Sequence, residues 1–251
     1  MDFQKSKTKE NLARAFAGEC QDGAFYQFII KDCKKDFKYL SNLLKGIAKN
    51  EMAHAGMYYK TIVKLAKNAA TNIDIKAGYA FAPYEFPKSL EAALETERKE
   101  ALKIYPEFAR IAREEGFDDA AKVFEAVSHD EQHHITMLSQ MCEKLKNNSL
   151  YKSETECMWL CSNCAHHEYS KQAWKTCPSC GFPQGFVEFT LEKMLPASKK
   201  KQLKTEYCDC PPKSKTSPTS KKPKSAAIKP ASASKSSTSS KNKSSTASKK
   251  K

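Results

Sequence analysis

Residues 127–138 read Val-Ser-His-Asp-Glu-Gln-His-His-Ile-Thr-Met-Leu, and the spacing inside this stretch decides the fold. Val127, Glu131, His134 and Leu138 recur at intervals of three and four, so they share one helix face. The line runs back to Val123 and on to Met141 and Leu145. It is an apolar stripe with a carboxylate and an imidazole at its centre. A second stretch repeats the arrangement as Leu40, Leu44, Ile47, Glu51, His54, Tyr58, Ile62 and Leu65. Two more stripes carry a carboxylate alone. One is Leu12, Ala15, Glu19, Tyr26, Ile30, Cys33 and Phe37; the other is Leu90, Ala93, Glu97, Ile104, Phe108 and Ile111. Residues 8–147 therefore read as four amphipathic helices. Asn72, Gly78, Pro83 and Pro87 break the second from the third, and Gly116 breaks the third from the fourth. Pro106 is expected to kink the third helix. A longer connection around 68–88 fits a helix bundle.

Burying an unpaired carboxylate is costly, and Glu19, Glu51, Glu97 and Glu131 all fall on buried faces. Metal cations remove that cost. One Glu from each of two helices and a Glu-x-x-His from each of the other two is the ligand pattern of metal pairs held in helical bundles. A single Glu-x-x-His is usually a solvated pair; two of them on apolar stripes of different helices reverse that reading. In the fourth helix Asp130 and His133 have the same spacing, but the line Ala126, Asp130, His133, Met137 is less apolar. Glu131 and His134 are the expected ligands, with His129 and His133 on the outer face or behind the ligands. For Glu100, three residues after Glu97, the reading as a solvent-facing neighbour is stronger than for the others.

From about residue 155 the chain changes to a small module punctuated by Cys161-x2-Cys164 and Cys177-x2-Cys180, with 12 residues between the pairs. Four thiolates make a tetrahedral all-sulfur site, for zinc or iron alike. His166 and His167 read as surface residues, because four Cys complete the shell. Cys20, Cys33, Cys142, Cys157, Cys208 and Cys210 read as free thiols, and in a reducing compartment paired CxxC spacing more often binds metal than forms disulfides. No apolar run is long enough to span a bilayer, and the opening residues lack the apolar core of a signal peptide. The expected location is the cytoplasm.

The formal charge of +14 belongs entirely to residues 196–251, where 16 Lys meet only Glu206 and Asp209; the preceding 195 residues are neutral. This tail of Lys, Ser, Thr, Ala and Pro has Tyr207 as its one aromatic and cannot bury a core, so it is expected to be disordered. Clustered Lys attracts polyanions through counterion release, although such tails also serve merely as solubilising extensions. Without Arg, any nucleic-acid binding would be non-specific.

These motifs resemble rubrerythrins. The segment from Glu10 to Glu19 is similar to their opening helix, and Glu51-Met52-Ala53-His54 to their second-helix motif. Glu97-Arg98-Lys99-Glu100 followed by Tyr105-Pro106 looks like the third, and His129 to His134 like the fourth. Met158-Trp159-Leu160-Cys161 and Cys177-Pro178-Ser179-Cys180-Gly181 resemble the rubredoxin-like end of the family, with one departure: Ala165 follows Cys164 where a Gly is usual. The likeness covers about residues 8–195. It implies a mainly α chain: a ferritin-like four-helix bundle over 1–150, a rubredoxin-like module over 155–195, then the disordered tail over 196–251. It implies Glu19, Glu51, His54, Glu97, Glu100, Glu131 and His134 as ligands of two carboxylate-bridged irons, with Glu51 and Glu131 bridging. It also implies one iron on Cys161, Cys164, Cys177 and Cys180, with zinc the alternative. Glu100 would be the extra carboxylate that sets the family apart from ordinary ferritins. His54 would exchange with a Glu as an iron ligand, and Tyr26 and Tyr105 would hydrogen-bond near the site.

The activity implied is reduction of hydrogen peroxide to water, with Glu51, His54, Glu100 and Glu131 at the chemistry. Electrons would pass through the four-cysteine iron from a donor such as rubredoxin or an NAD(P)H-dependent reductase. No Gly-rich dinucleotide fingerprint is present to bind NAD(P)H directly. A short linker over about 148–156 implies a homodimer or larger assembly, in which the module of one subunit serves the bundle of another. The competing reading is a ferroxidase of the ferritin-like class that handles iron on DNA, for which a one-electron relay has no use. Deleting residues 196–251 is expected to abolish retardation of DNA in a low-salt gel, and unchanged retardation would dismiss the tail as a nucleic-acid contact.

Overall fold

The computed structural model describes residues 1–33, 35–69, 72–76, 78, 79, 81 and 85–191. The expectations for Pro83 and for 196–251, including Tyr207, Cys208 and Cys210, fall outside these residues. Helix α1 spans Lys7–Cys33 and α2 spans Lys38–Leu65. After the crossover come α3 (Lys88–Lys99), a π-helical turn (Glu100–Ile104), α4 (Tyr105–Glu114) and α5 (Asp118–Lys146). Two helical hairpins, α1–α2 and α3/α4–α5, make the four-helix bundle. Gly116 stands just past α4 at φ +84°, a left-handed position that glycine adopts without a Cβ clash. The carboxylate of Glu115 accepts from the backbone N–H groups of Lys7 (3.0 Å) and Thr8 (2.8 Å), so one end of α4 caps the first turn of α1.

The third helix departs from expectation. Pro106 does not simply kink it; the turn before Pro106 widens, and the Tyr105 N–H bonds back five residues to the Glu100 carbonyl. Pro106 has no N–H with which to continue the normal ladder. The extra residue in the turn shifts the register. Ile104, expected in the buried stripe, is 37% exposed, whereas Glu100 and Ala101 are buried. In α1 the buried position is Ile29, with Ile30 half-buried at its edge. The four stripe carboxylates are all buried.

The linker is also shorter than expected. Asn148 takes φ +50°, Leu150 is buried, and β1 begins at Lys152. Strand β1 (Lys152–Cys161) lies between β2 (His167–Gln172) and β3 (Val187–Glu188), antiparallel to both. This small sheet does not stand apart. Trp159, Ala173, Val187 and Phe189 join Tyr26, Leu44, Leu90, Leu138 and Met141 of the bundle in one apolar cluster. Phe189 meets the rings of Tyr39 and Tyr151 edge-on, at 5.2 and 6.4 Å. Among the described residues no helix is long and apolar enough to cross a membrane.

Because the sheet and the bundle share a core, they are expected to unfold together. Trp159 is buried and donates to the Ser170 carbonyl at 3.1 Å, so Trp159→Ala removes a large part of the shared cluster. The expected cost is about 3–5 kcal/mol in chemical denaturation followed by circular dichroism. Separate transitions in the unsubstituted chain would show that the two parts do not depend on each other.

Candidate metal centres

The bundle brings the stripe carboxylates and both imidazoles to one point. Glu19, Glu51, His54 and Glu131 offer ligand atoms that all lie within 4.8 Å of one another, and so do Glu51, Glu97, Glu131 and His134. Glu51 and Glu131 belong to both groups. His54 Nδ1 lies 2.8 Å from Glu131 Oε1 and 3.4 Å from both Glu19 Oε2 and Glu51 Oε2. His134 Nδ1 lies 2.6 Å from Glu131 Oε2, 3.1 Å from Glu51 Oε1 and 3.4 Å from Glu97 Oε2. Each shared carboxylate thus turns one oxygen to each half.

The donor atoms suit metal ions. Glu19 Oε2, Glu51 Oε1, Glu97 Oε2, both oxygens of Glu131 and the Nδ1 atoms of His54 and His134 are buried and face one another without a well-aligned hydrogen bond. Ligands ~2.1 Å from a common ion stand ~3.0–3.4 Å apart at tetrahedral or octahedral angles, close to the spacing found. The other carboxylate oxygens are tied down. Tyr26 Oη donates to Glu97 Oε1, and Tyr105 Oη donates to Glu19 Oε1 at 2.5 Å. Each tyrosine therefore orients a carboxylate of the opposite hairpin.

Glu100 is buried beside this cluster but belongs to neither four-ligand group. The π turn swings it inward, and a Cβ on Gly18 would stand 3.3 Å from Glu100 Oε1, a tight contact that glycine avoids. His129 and Asp130 are exposed and His133 is half-buried. With Asn50 they line an open cavity of about 310 Å³ over the rings of His54 and His134. His54 Nε2 faces Asp130 Oδ2 at 3.8 Å, and the Asn50 amide stands 3.2 Å from His134 Nε2. Sequence reasoning missed Asn50, whose only signal is its place next to Glu51. It also missed Asp22, buried in α1, and Tyr79 of the crossover, which donates to Asp22 Oδ1 at 2.7 Å.

Titration follows from this crowding. Burial raises the Glu19, Glu97 and Glu100 carboxyls well above the usual range, and neighbouring carboxylates add to the effect. Burial likewise pushes Asp22 up to about 7. Burial would lower His54, but contacts with Glu131, Glu19 and Glu51 outweigh it and push His54 up to about 12; His134 is raised in the same way. Burial would also raise Glu131, but the two imidazoles hold it below the usual range.

In the second centre, Cys161 Sγ lies 3.8 Å from Cys180 Sγ, and Cys164 Sγ lies 3.7 Å from Cys177 Sγ. Four sulfurs ~2.3 Å from one tetrahedral metal are ~3.8 Å apart, so the group suits a single ion. The two Cys loops are built alike. The Ala165 N–H bonds to the Cys161 carbonyl and the Gly181 N–H to the Cys177 carbonyl, both at 2.9 Å. The N–H groups of His166 and Phe182 face the sulfurs of Cys164 and Cys180. Ala165 takes φ +61°, as Gly181 takes +74°, so the loop keeps the glycine geometry at a strain of about 1 kcal/mol. The His166 ring packs on Trp174 at 5.0 Å, and His167 is exposed. Cys20, Cys33, Cys142 and Cys157 are free thiols.

The family model described as Rubrerythrin matches residues 10–142. Rubrerythrin of Clostridium perfringens is 31% identical over 188 residues, spanning 73% of this chain and 94% of its own. Rubrerythrin-1 of Clostridium acetobutylicum is 31% identical over 188 residues, spanning 74% and 96%. A solved structure of nigerythrin in a mixed-valence state aligns with a TM-score of 0.48 at 22% identity, over 75% of this chain and 92% of that one.

The pH dependence of the chelated, metal-free chain has a definite sign. The raised Glu, Asp and His groups hold more protons folded than unfolded, so their contribution is complete below their unfolded values and is lost as pH rises. Glu131 acts oppositely, but only as pH falls below its ordinary value of 4.5; Cys180, lowered to about 6 by the Phe182 N–H, also acts oppositely but is only half-buried and offsets little. Stability of the metal-free chain to urea is expected to fall from about pH 5 to about pH 8. A flat or rising profile would contradict this account of the buried groups.

Proposed function

Because this chain belongs to the rubrerythrin family, we propose that it is a peroxidase: it reduces hydrogen peroxide to water with electrons relayed through the four-cysteine site. The family is one of di-iron proteins of oxidative-stress defence, and the bundle cluster is its di-iron site. The observation that carries the proposal is the pairing of two half-sites through Glu51 and Glu131, each of which turns one oxygen to either half. Two shared carboxylates would hold a pair of ions, and such a pair would supply the chemistry for an O–O bond. When bound, the iron pair supplies the two electrons that this bond requires, and the four-cysteine iron supplies electrons singly.

The remaining work falls to the chain. One peroxide takes up two electrons and two protons to give two waters. Glu100, buried beside the cluster with a raised carboxyl, holds a proton close to the reacting oxygens. His54 turns Nδ1 to the carboxylates and Nε2 to the open cavity, which suits a ligand engaged in one redox state and released in the other. Tyr26 and Tyr105 keep Glu97 and Glu19 aimed at the centre. The cavity lined by Asn50, His129 and Asp130 gives a small oxidant a way in.

Electrons enter at the four-cysteine site, where the Cys164 side is exposed to a donor such as rubredoxin or an NAD(P)H-dependent reductase. Leu160, next to Cys161, shares a groove with His133 and Met137 of α5, and His133 adjoins His134. Packing of the module on its own bundle supports a relay within the chain, alongside one between subunits of a homodimer or larger assembly. Any contact with nucleic acid is left to residues 196–251.

The test is colour. The purified chain is expected to be red, with visible bands that bleach on reduction and return on adding peroxide. Glu51→Ala is expected to empty the bundle centre while the four-cysteine bands persist. A colourless four-cysteine site, or bands that peroxide fails to restore, would overturn the relay.

A further inference from the structure

The two hairpins carry the same pattern. Glu19, Glu51 and His54 come from the first; Glu97, Glu131 and His134 come from the second. The repeat extends one step further. Asp22 follows Glu19 by three residues, as Glu100 follows Glu97. Both are buried, at 5% and 9% exposure, although the family resemblance accounts for Glu100 alone. Asp22 lies beside Glu100, and the charges of Glu51 and Glu131 are also near enough to act on it. One of its oxygens accepts from Tyr79 at 2.7 Å, and the other, Oδ2, is buried with no hydrogen-bond partner. An Asp side chain is one methylene shorter than Glu, and Asp22 is in neither four-ligand group.

We propose that Asp22 is a positioning residue of the di-iron centre: it holds Glu100 in place from behind and adds a sixth carboxylate to the charge that the metals meet. Tyr79 is its latch from the crossover. A buried carboxylate with an open oxygen destabilises a metal-free protein and is compensated when cations lie close. An Asp retained only for packing or a hydrogen bond would stabilise the chain with or without metal. The two roles therefore differ in sign. The inference rests on the two-metal centre and not on which oxidant is reduced.

The test uses the full chain with the four-cysteine site filled by zinc, and titrates cobalt(II) into the bundle while following its visible bands. Asp22→Asn is expected to weaken cobalt binding by about 10–100-fold, as loss of a group behind a ligand does. The metal-free Asp22→Asn chain is expected to resist urea better than the unsubstituted one. Tyr79→Phe is expected to weaken cobalt binding by about 3–10-fold. Unchanged cobalt affinity in Asp22→Asn, or a metal-free variant less stable than the parent, would overturn the proposal. Should Asp22→Asn not fold, Tyr79→Phe decides it, and unchanged affinity there overturns it. A parent chain whose bundle takes up no cobalt would overturn the two-metal centre and Asp22's role together.

Discussion

Carboxylates inside a low-dielectric bundle repel one another, and most other features of this structure accommodate that repulsion. Glu19, Glu51, Glu97, Glu100 and Glu131 are all buried at the meeting of four helices. Two imidazoles face them, and two tyrosines take one oxygen each. The open valences that remain all point inward, and only cations satisfy them together. The bundle's apolar residues lie to either side of this plane in two clusters. The cores hold the helices in register, and the register holds the ligands at coordination distance.

The core of this arrangement was legible in the sequence because helical periodicity fixes faces. Glu131 and His134 read as buried for the same reason as Leu138, and they are. Glu100 stayed open between buried and exposed because its side of the helix depends on the π turn, an insertion that three-and-four spacing does not register. Ile104 was misplaced for the same reason. Asp22 was missed because it lies off the apolar line of α1 and is covered by the crossover through Tyr79. Asn50 was missed because nothing in a helix pattern says which neighbour an imidazole nitrogen will find. The four-cysteine site was legible from spacing alone, whereas the packing of its module was not. Trp159 and Phe189 look like local core until the bundle residues they touch are known.

Ala165 shows how far local geometry can override local preference. The residue after Cys164 lacks the freedom of glycine, yet it is held at φ +61° by the same hydrogen bond that Gly181 makes in the sister loop. Both loops close on the four-sulfur group, and Ala165 takes the left-handed turn that this closure uses.

The centre is built from a repeated half, yet its two ends are not held alike. His134 is 1% exposed, with the Asn50 amide 3.2 Å from its outer nitrogen. His54, also buried at 5%, faces Asp130 at 3.8 Å across the mouth of an open cavity. One end is braced by a close amide, and the other faces a more distant carboxylate. Two like ions placed in such a frame would not be equivalent: the ligands of one would be braced from outside, and those of the other would face open space. The repeat of the half-site makes the two positions alike, and what surrounds each imidazole makes them different.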